Sequence, residues 1–167
     1  MQSLYADGGV VGRNPSPFGG TWAWCLVEDD QLVCEDSGLI LPQDGYGHKL
    51  TNNVSELFAL CSALEAMSEG WRGVVHSDSE VTIGRVFLGW ALRGVPPRLV
   101  EQLRRVQLRL QFDLRGLRWV LLQGHPTRAD LEKGVGVKRG LPVSKWNVYV
   151  DKLCQEQARR VQEMQVA

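Results

Sequence analysis

The sequence predicts an α/β domain: a five-stranded mixed sheet, an antiparallel meander followed by parallel strands, flanked by helices. The N-terminal part of the chain carries strand-like runs of large and β-branched residues separated by turn residues. From Asn53 the apolar spacing changes to that of a helix. Further on, short apolar runs alternate with helical stretches, so the expected order is β-β-β-α-β-α-α-β-α.

Ser3-Leu4-Tyr5-Ala6-Asp7-Gly8-Gly9 reads as a short strand that ends in a carboxylate and then turns sharply. Two glycines let a ligand approach the main chain, and a rigid strand end would hold Asp7. A plain Asp-Gly hairpin turn explains the same letters. Residues 10–19 form a loop rich in Gly and Pro. Thr21 to Val27 is the second strand, Glu28-Asp29-Asp30 a polar turn, and Gln31 to Leu41 the returning strand. After a loop over Pro42 to Lys49, which carries His48, Val54, Leu57, Phe58, Cys61, Leu64 and Met67 mark the apolar face of a helix that Gly70 ends. Arg72 to His76 is a short strand, and Ser77-Asp78-Ser79 caps a helix over Val81 to Leu92. Gly94-Val95-Pro96-Pro97 breaks it. A helix follows from Arg98 to Gln111 with Leu99, Leu103, Val106 and Leu110 on one side. Leu117 to Leu122 is the last strand, Gly124 to Ser144 a long loop, and Lys145 to Gln165 the last helix. Long loops in a compact domain are often functional.

The chain of 167 residues suits one domain over 1–167 with a sizeable core, and 44% of it is apolar. Lys+Arg and Asp+Glu both number 19, which argues against a basic protein that coats nucleic acid. Cys25, Cys34, Cys61 and Cys154 are scattered through apolar runs without C-x-x-C or zinc spacing. Buried reduced thiols and a cytoplasmic location are expected. No secretory leader or membrane-spanning run is visible.

Four carboxylates fall at or beside the ends of elements: Asp7, Glu56, Asp78 and Asp151. Each has a plain explanation. Asn53-Val54-Ser55-Glu56 has capping-box spacing, Asp78 could cap a helix, and Asp151 suits a first-turn acid. Gathered at one sheet edge, however, such acids repel one another unless divalent cations neutralise them. Mg²⁺ prefers a few carboxylates together with substrate phosphate, and two ions about 4 Å apart can clamp an in-line phosphoryl displacement. His125, after the last strand, adds a group able to move protons.

These residues give the chain a resemblance to the type 1 ribonucleases H of the RNase H-like superfamily. The motifs are Tyr5-Ala6-Asp7-Gly8-Gly9 with Asn14-Pro15-Ser16-Pro17-Phe18-Gly19-Gly20, Thr51-Asn52-Asn53-Val54-Ser55-Glu56, Ser77-Asp78-Ser79, Gly124-His125, and Asn147-Val148-Tyr149-Val150-Asp151-Lys152-Leu153. They cover nearly the whole chain in family order. The resemblance implies an RNase H-like fold and two Mg²⁺ or Mn²⁺ ions held by Asp7, Glu56, Asp78 and Asp151. It also implies endonucleolytic hydrolysis of the RNA strand of RNA–DNA hybrids, leaving 5′-phosphate and 3′-hydroxyl ends. His125 would help deprotonate water or release product. Gly8, Gly9, Asn14, Thr51, Asn52 and Asn53 would meet the hybrid, where 2′-hydroxyls distinguish RNA from DNA.

The chain departs from the family in three places. Glu80 stands where bacterial members often carry Gln. The basic protrusion is absent, since Gly89 to Pro96 carries one charge, and Trp90 there reads as a core residue or a sugar contact. The stretch from His125 to Asp151 is longer, with Arg128, Lys133, Lys138, Arg139 and Lys145 against Asp130 and Glu132. This loop would supply the basic contact to phosphates, with Lys138 and Arg139 as binding residues; a solvated loop is the alternative. Asp130 rivals Asp151 as the fourth acid, and the family spacing from Asn147 favours Asp151. A monomer is expected. The competing readings are a non-cleaving binding module, another nuclease of the same fold such as a junction resolvase, and a structural protein. The exonuclease version carries Asp-x-Glu on its first strand, whereas Gly8 and Gly9 follow Asp7 here.

Overall fold

The computed structural model describes residues 1–109 and 117–166. Three strands form the expected meander: β1 (Gln2–Val10), β2 (Gly20–Glu28) and β3 (Gln31–Ile40). Helix α1 (Asn52–Ala66) follows, then β4 (Val74–Ser77), α2 (Glu80–Phe87), α3 (Pro97–Arg109) and β5 (Arg118–Leu121). The chain closes with α4 (Arg128–Glu132), a small hairpin of β6 (Val137–Lys138) and β7 (Leu141–Pro142), and α5 (Lys145–Val166). The main sheet has the order β3-β2-β1-β4-β5. β1 pairs antiparallel with β2, and β2 with β3; β4 lies parallel to both β1 and β5. The predicted mixed sheet is therefore the one formed.

Side-chain alternation along the central strands explains why both faces are covered. Leu4, Ala6, Trp24, Leu26 and Val75 join the larger core with α1, α2 and α3. Tyr5, Ala23, Cys25 and Val27 point the other way and pack with Val150 and Cys154 of α5. Leu99, Leu103 and Val106 are buried as their spacing predicts. Leu110 and Gln111, assigned to the same helix, lie outside the described residues.

Several local expectations change. Asp7, Gly8 and Gly9 do not end a strand or make a hairpin turn: they pair with Ala23, Trp22 and Thr21 inside β1. The two-residue turn lies instead between β2 and β3, where Asp29 and Asp30 take left-handed φ values of 49° and 58°. The first helix ends before Gly70, because Met67 turns extended and Arg109 donates to the carbonyls of Glu65 and Met67. The second helix stops at Phe87 rather than Leu92: the N–H groups of Leu88 and Trp90 both donate to the Gly84 carbonyl. Trp90 consequently folds over Gly84 and is not a core residue, being 42% exposed. Cys25, Cys61 and Cys154 are buried, but Cys34 on the edge strand is exposed. The long loop carries structure of its own, α4 and the β6–β7 hairpin.

Candidate metal centre

The site is built where the middle of the sheet meets the start of α1. Gly8 is required by close approach: a Cβ there would lie 2.3 Å from the backbone carbon of Ser55. Gly20, on the neighbouring strand, meets Ser55 as well, with its Oγ 2.3 Å from a built Cβ. The two glycines let the N-terminal part of α1 sit directly on β1 and β2. Thr51 is the true N-cap, its Oγ1 accepting from the Val54 N–H at 3.2 Å. Glu56 is thereby relieved of the capping role its spacing suggested, and it lies beyond the first turn. Ser79 does the same for Asp78, capping α2 by accepting from the Thr82 N–H at 3.2 Å.

The freed acids converge. Carboxylate oxygens of Asp7, Glu56 and Asp78 lie within 4.8 Å of one another. Asp7 is only 5% exposed. One of its oxygens accepts from the Gly8 N–H at 2.9 Å, so that amide is already engaged. Burial pushes the Asp7 carboxyl well above its usual range, and the charges of Asp78, Asp151 and Glu56 push it further. Burial raises Glu56 to about 7; the Ser79 hydroxyl offsets this in part and Asp78 adds to it. Asp78 is raised mainly by burial, with Asn147 and His125 pulling it back and Asp151 pushing it up. Acids packed this way disfavour their own ionised forms, and hard oxygen donors so placed fit a divalent cation.

Asp151, on α5, joins this group: it acts on both Asp7 and Asp78, and it lines a small cleft with Asp78, His125, Pro126, Asn147 and Val148. Asp130, its rival from the long loop, is committed elsewhere. It closes a capping box with Thr127 and binds Lys138 at 2.8 Å. Those bonds hold its carboxyl down at about 2. His125 is exposed at the rim beside Asp78, with a left-handed φ of 49°.

Two neighbours of the acids were legible only in other guises. Asn147, which helped choose Asp151 by spacing, is 2% exposed; its Nδ2 donates to Asp78 Oδ2 at 3.2 Å and to the Gln123 carbonyl at 3.4 Å. Ser79, read as a cap, also hydrogen-bonds Glu56. Neither link has a sequence signal, because both cross between elements.

The residues expected to meet a ligand are divided. Gly9 lies in β1 opposite Thr21. Asn14 Oδ1 accepts from the Asn52 N–H at 3.2 Å, which brings Asn14, Thr51, Asn52 and Asn53 to one place at the start of α1. Lys138 is not free: its ammonium is paired with Asp130 at 2.8 Å. Arg128 pairs with Glu132 and Lys145 with Asp30, whereas Lys133 and Arg139 show no ion pair among the described residues.

No family model matches the chain. It is 29% identical over 142 residues to a ribonuclease H of Dinoroseobacter shibae, a match spanning 81% of this chain and 87% of that one. Among solved structures it is similar to the N-terminal RNase H domain of a Mycobacterium tuberculosis protein, with a TM-score of 0.62 and 21% identity, covering 98% of this chain and 96% of that one. The LC11 RNase H1 isolated from compost gives a TM-score of 0.62 at 22% identity, covering 97% and 98% of the two chains. The structural likenesses establish an RNase H-like fold, a mixed sheet with Asp7, Glu56 and Asp78 gathered at its middle. The ordered motifs and the sequence relative make the chain similar to the type 1 ribonucleases H.

Proposed function

We propose that this protein hydrolyses the RNA strand of RNA–DNA hybrids endonucleolytically, with two Mg²⁺ or Mn²⁺ ions, leaving 5′-phosphate and 3′-hydroxyl ends. The observation that carries the reading is the convergence of Asp7, Glu56 and Asp78 within 4.8 Å, from β1, α1 and the turn between β4 and α2. Asp7, Glu56, Asp78 and Asp151 would hold the ions. Divalent cations held there would neutralise the acids and would supply the acidity and charge stabilisation that hydrolysis of a phosphodiester needs.

The chain's own groups do the rest. Asn147 fixes the Asp78 carboxylate by its 3.2 Å bond, and Ser79 steadies Glu56. His125, exposed beside Asp78, carries a proton between the site and solvent through its imidazole nitrogens. Hybrid selectivity rests on short hydrogen-bonding groups that reach 2′-hydroxyls: Thr51, Asn52, Asn53 and Asn14, gathered at the start of α1, with Gly8 and Gly9 leaving room beside them. We take the enzyme to act as a cytoplasmic monomer, in keeping with buried free cysteines at Cys25, Cys61 and Cys154. Among the described residues no helix is long and apolar enough to cross a membrane.

A substrate panel tests the assignment. An RNA–DNA hybrid, duplex RNA, duplex DNA and a four-way DNA junction, each end-labelled, are incubated with Mg²⁺ or Mn²⁺. Cleavage within the RNA strand of the hybrid, absent with Asp78→Asn, is expected. Cutting of the junction in preference to the hybrid would move the protein to the resolvase class. Binding without cutting would make it a nucleic-acid-binding module.

A further inference from the structure

The segment between β5 and α5 is a self-braced unit rather than a slack loop. Thr127 and Asp130 close a capping box at the start of α4, and Asp130 reaches on to Lys138 in β6 at 2.8 Å. The Val135 N–H donates to the Asp130 carbonyl at 2.9 Å, and the Val143 N–H to Gly136 at 2.9 Å. The unit is fixed to the rim of the metal centre. The Gln123 N–H donates to the Pro142 carbonyl at 2.8 Å, while the Gln123 carbonyl accepts from Asn147, the residue that holds Asp78. Its first residues, His125 and Pro126, line the cleft beside Asp78 and Asp151.

Its charge stands out against the rest of the molecule. The whole chain is neutral, yet residues 124–145 hold Arg128, Lys133, Lys138, Arg139 and Lys145 against Asp130 and Glu132. The ion pairs sort these cations. Arg128, Lys138 and Lys145 are each held by a carboxylate, at 2.9, 2.8 and 2.6 Å. Lys133, at the C-cap of α4, and Arg139, in the turn of the β6–β7 hairpin, are exposed and show no ion pair among the described residues. The backbone of Arg139 is left-handed, at φ 53°, so the turn holds this residue out beyond both strands.

We infer that the α4–hairpin unit is a phosphate-binding arm, in which Lys133 and Arg139 contact the backbone of a nucleic-acid strand running out of the metal centre. This rests on the nuclease reading above and gives it a second point of attachment. Within the arm the Lys138–Asp130 pair ties α4 to the hairpin and is the building contact, while the unpaired cations grip. Lys138, singled out by sequence, belongs to the building set.

The test compares two double variants that remove equal charge. Lys133→Gln/Arg139→Asn takes away the free cations, and Asn suits the left-handed position. Arg128→Gln/Lys145→Gln takes away paired ones. Binding of a labelled RNA–DNA hybrid is followed by anisotropy across a salt series with Mg²⁺, in an Asp78→Asn background that suppresses cutting. The same series is run with duplex DNA, and KM and kcat for hybrid cleavage are measured in the intact background. The Lys133/Arg139 pair is expected to lower the slope of log K against log salt by about 1.8, the value for two lost phosphate contacts. It should raise KM with kcat little changed. The Arg128/Lys145 pair should leave the slope within experimental error. Equal effects of the two pairs, or no effect of either, overturn the arm. If the intact protein does not cut hybrid, the proposed function fails while the duplex DNA series still judges the arm, because phosphate contacts do not depend on the sugar. Circular dichroism melts of both double variants establish that a lost slope is not lost fold.

Discussion

Asp7, Glu56 and Asp78 share a pocket that raises all three carboxyl groups, and in a metal-free protein this opposes folding at neutral pH. Glu56 shows the sign. Its folded value of about 7 lies above the ordinary 4.5, so the native state holds a proton that the unfolded chain has released. The native advantage is full below the ordinary value and disappears as pH rises through about 7. Asp7 and Asp78 are shifted in the same direction. His76 is shifted down by burial and works the other way, so the comparison is made against a variant. In EDTA, Glu56→Gln should melt higher than the parent at pH 8, and the gap should close at pH 5. A gap that is the same at both values would show that Glu56 is not forced to ionise in the cluster. With Mg²⁺ present the order at pH 8 should reverse, as bound cation stabilises the parent. Glu56→Gln should also cut hybrid at least about 100-fold more slowly, a typical cost of losing one charge-stabilising group. The acids themselves were readable from residue type and position. Their partners were not: Asn147 reaches Asp78, and Ser79 reaches Glu56, across gaps in sequence that no local spacing encodes.

At the level of elements, the acidic cluster depends on how closely α1 sits on β1. Gly8 has no side chain because Ser55 occupies its place, at 2.3 Å from where a Cβ would be. Gly8→Ala must therefore push the helix start away from the sheet and carry Glu56 with it. A loss of about 3 kcal/mol in unfolding free energy is expected, at the upper end for overpacking, together with weakened Mn²⁺ binding. Urea unfolding with calorimetry checks both, and a variant of parental stability and affinity would contradict the packing account. Thr51→Ala should cost about 1 kcal/mol by loss of the cap, without displacing Glu56. Element order and type followed from periodicity, but ends did not. Gly70 looked like a helix terminator, yet Arg109 of α3 draws the chain out of the helix sooner by binding the carbonyls of Glu65 and Met67. Glycines after Asp7 looked like a turn because close packing and tight turning ask for the same residue. Only the neighbour, Ser55, tells the two apart.

Across the whole molecule, a neutral chain divides its charge between an acidic centre and a cationic arm. The mixed sheet places β1 and β4 side by side, so Asp7 and Asp78 become neighbours although 70 residues separate them in number. Helix α5 closes over the same place from the opposite face, bringing Asp151 and Asn147 to Asp78, and is anchored where Lys145 and Trp146 bind Asp30 in the β2–β3 turn. That assembly was foreseeable from the motifs in their order, whereas the folded character of residues 124–144 was not. Two-residue strands and a five-residue helix leave no usable periodicity. Whether the gathered acids are cation ligands is decided by calorimetric titration of Mn²⁺ into the metal-free protein. Two ions per chain should bind saturably, with at least one site lost in Asp7→Asn and in Asp78→Asn. Absence of saturable binding in the parent, or binding unaltered by both substitutions, would show that the acids hold no metal.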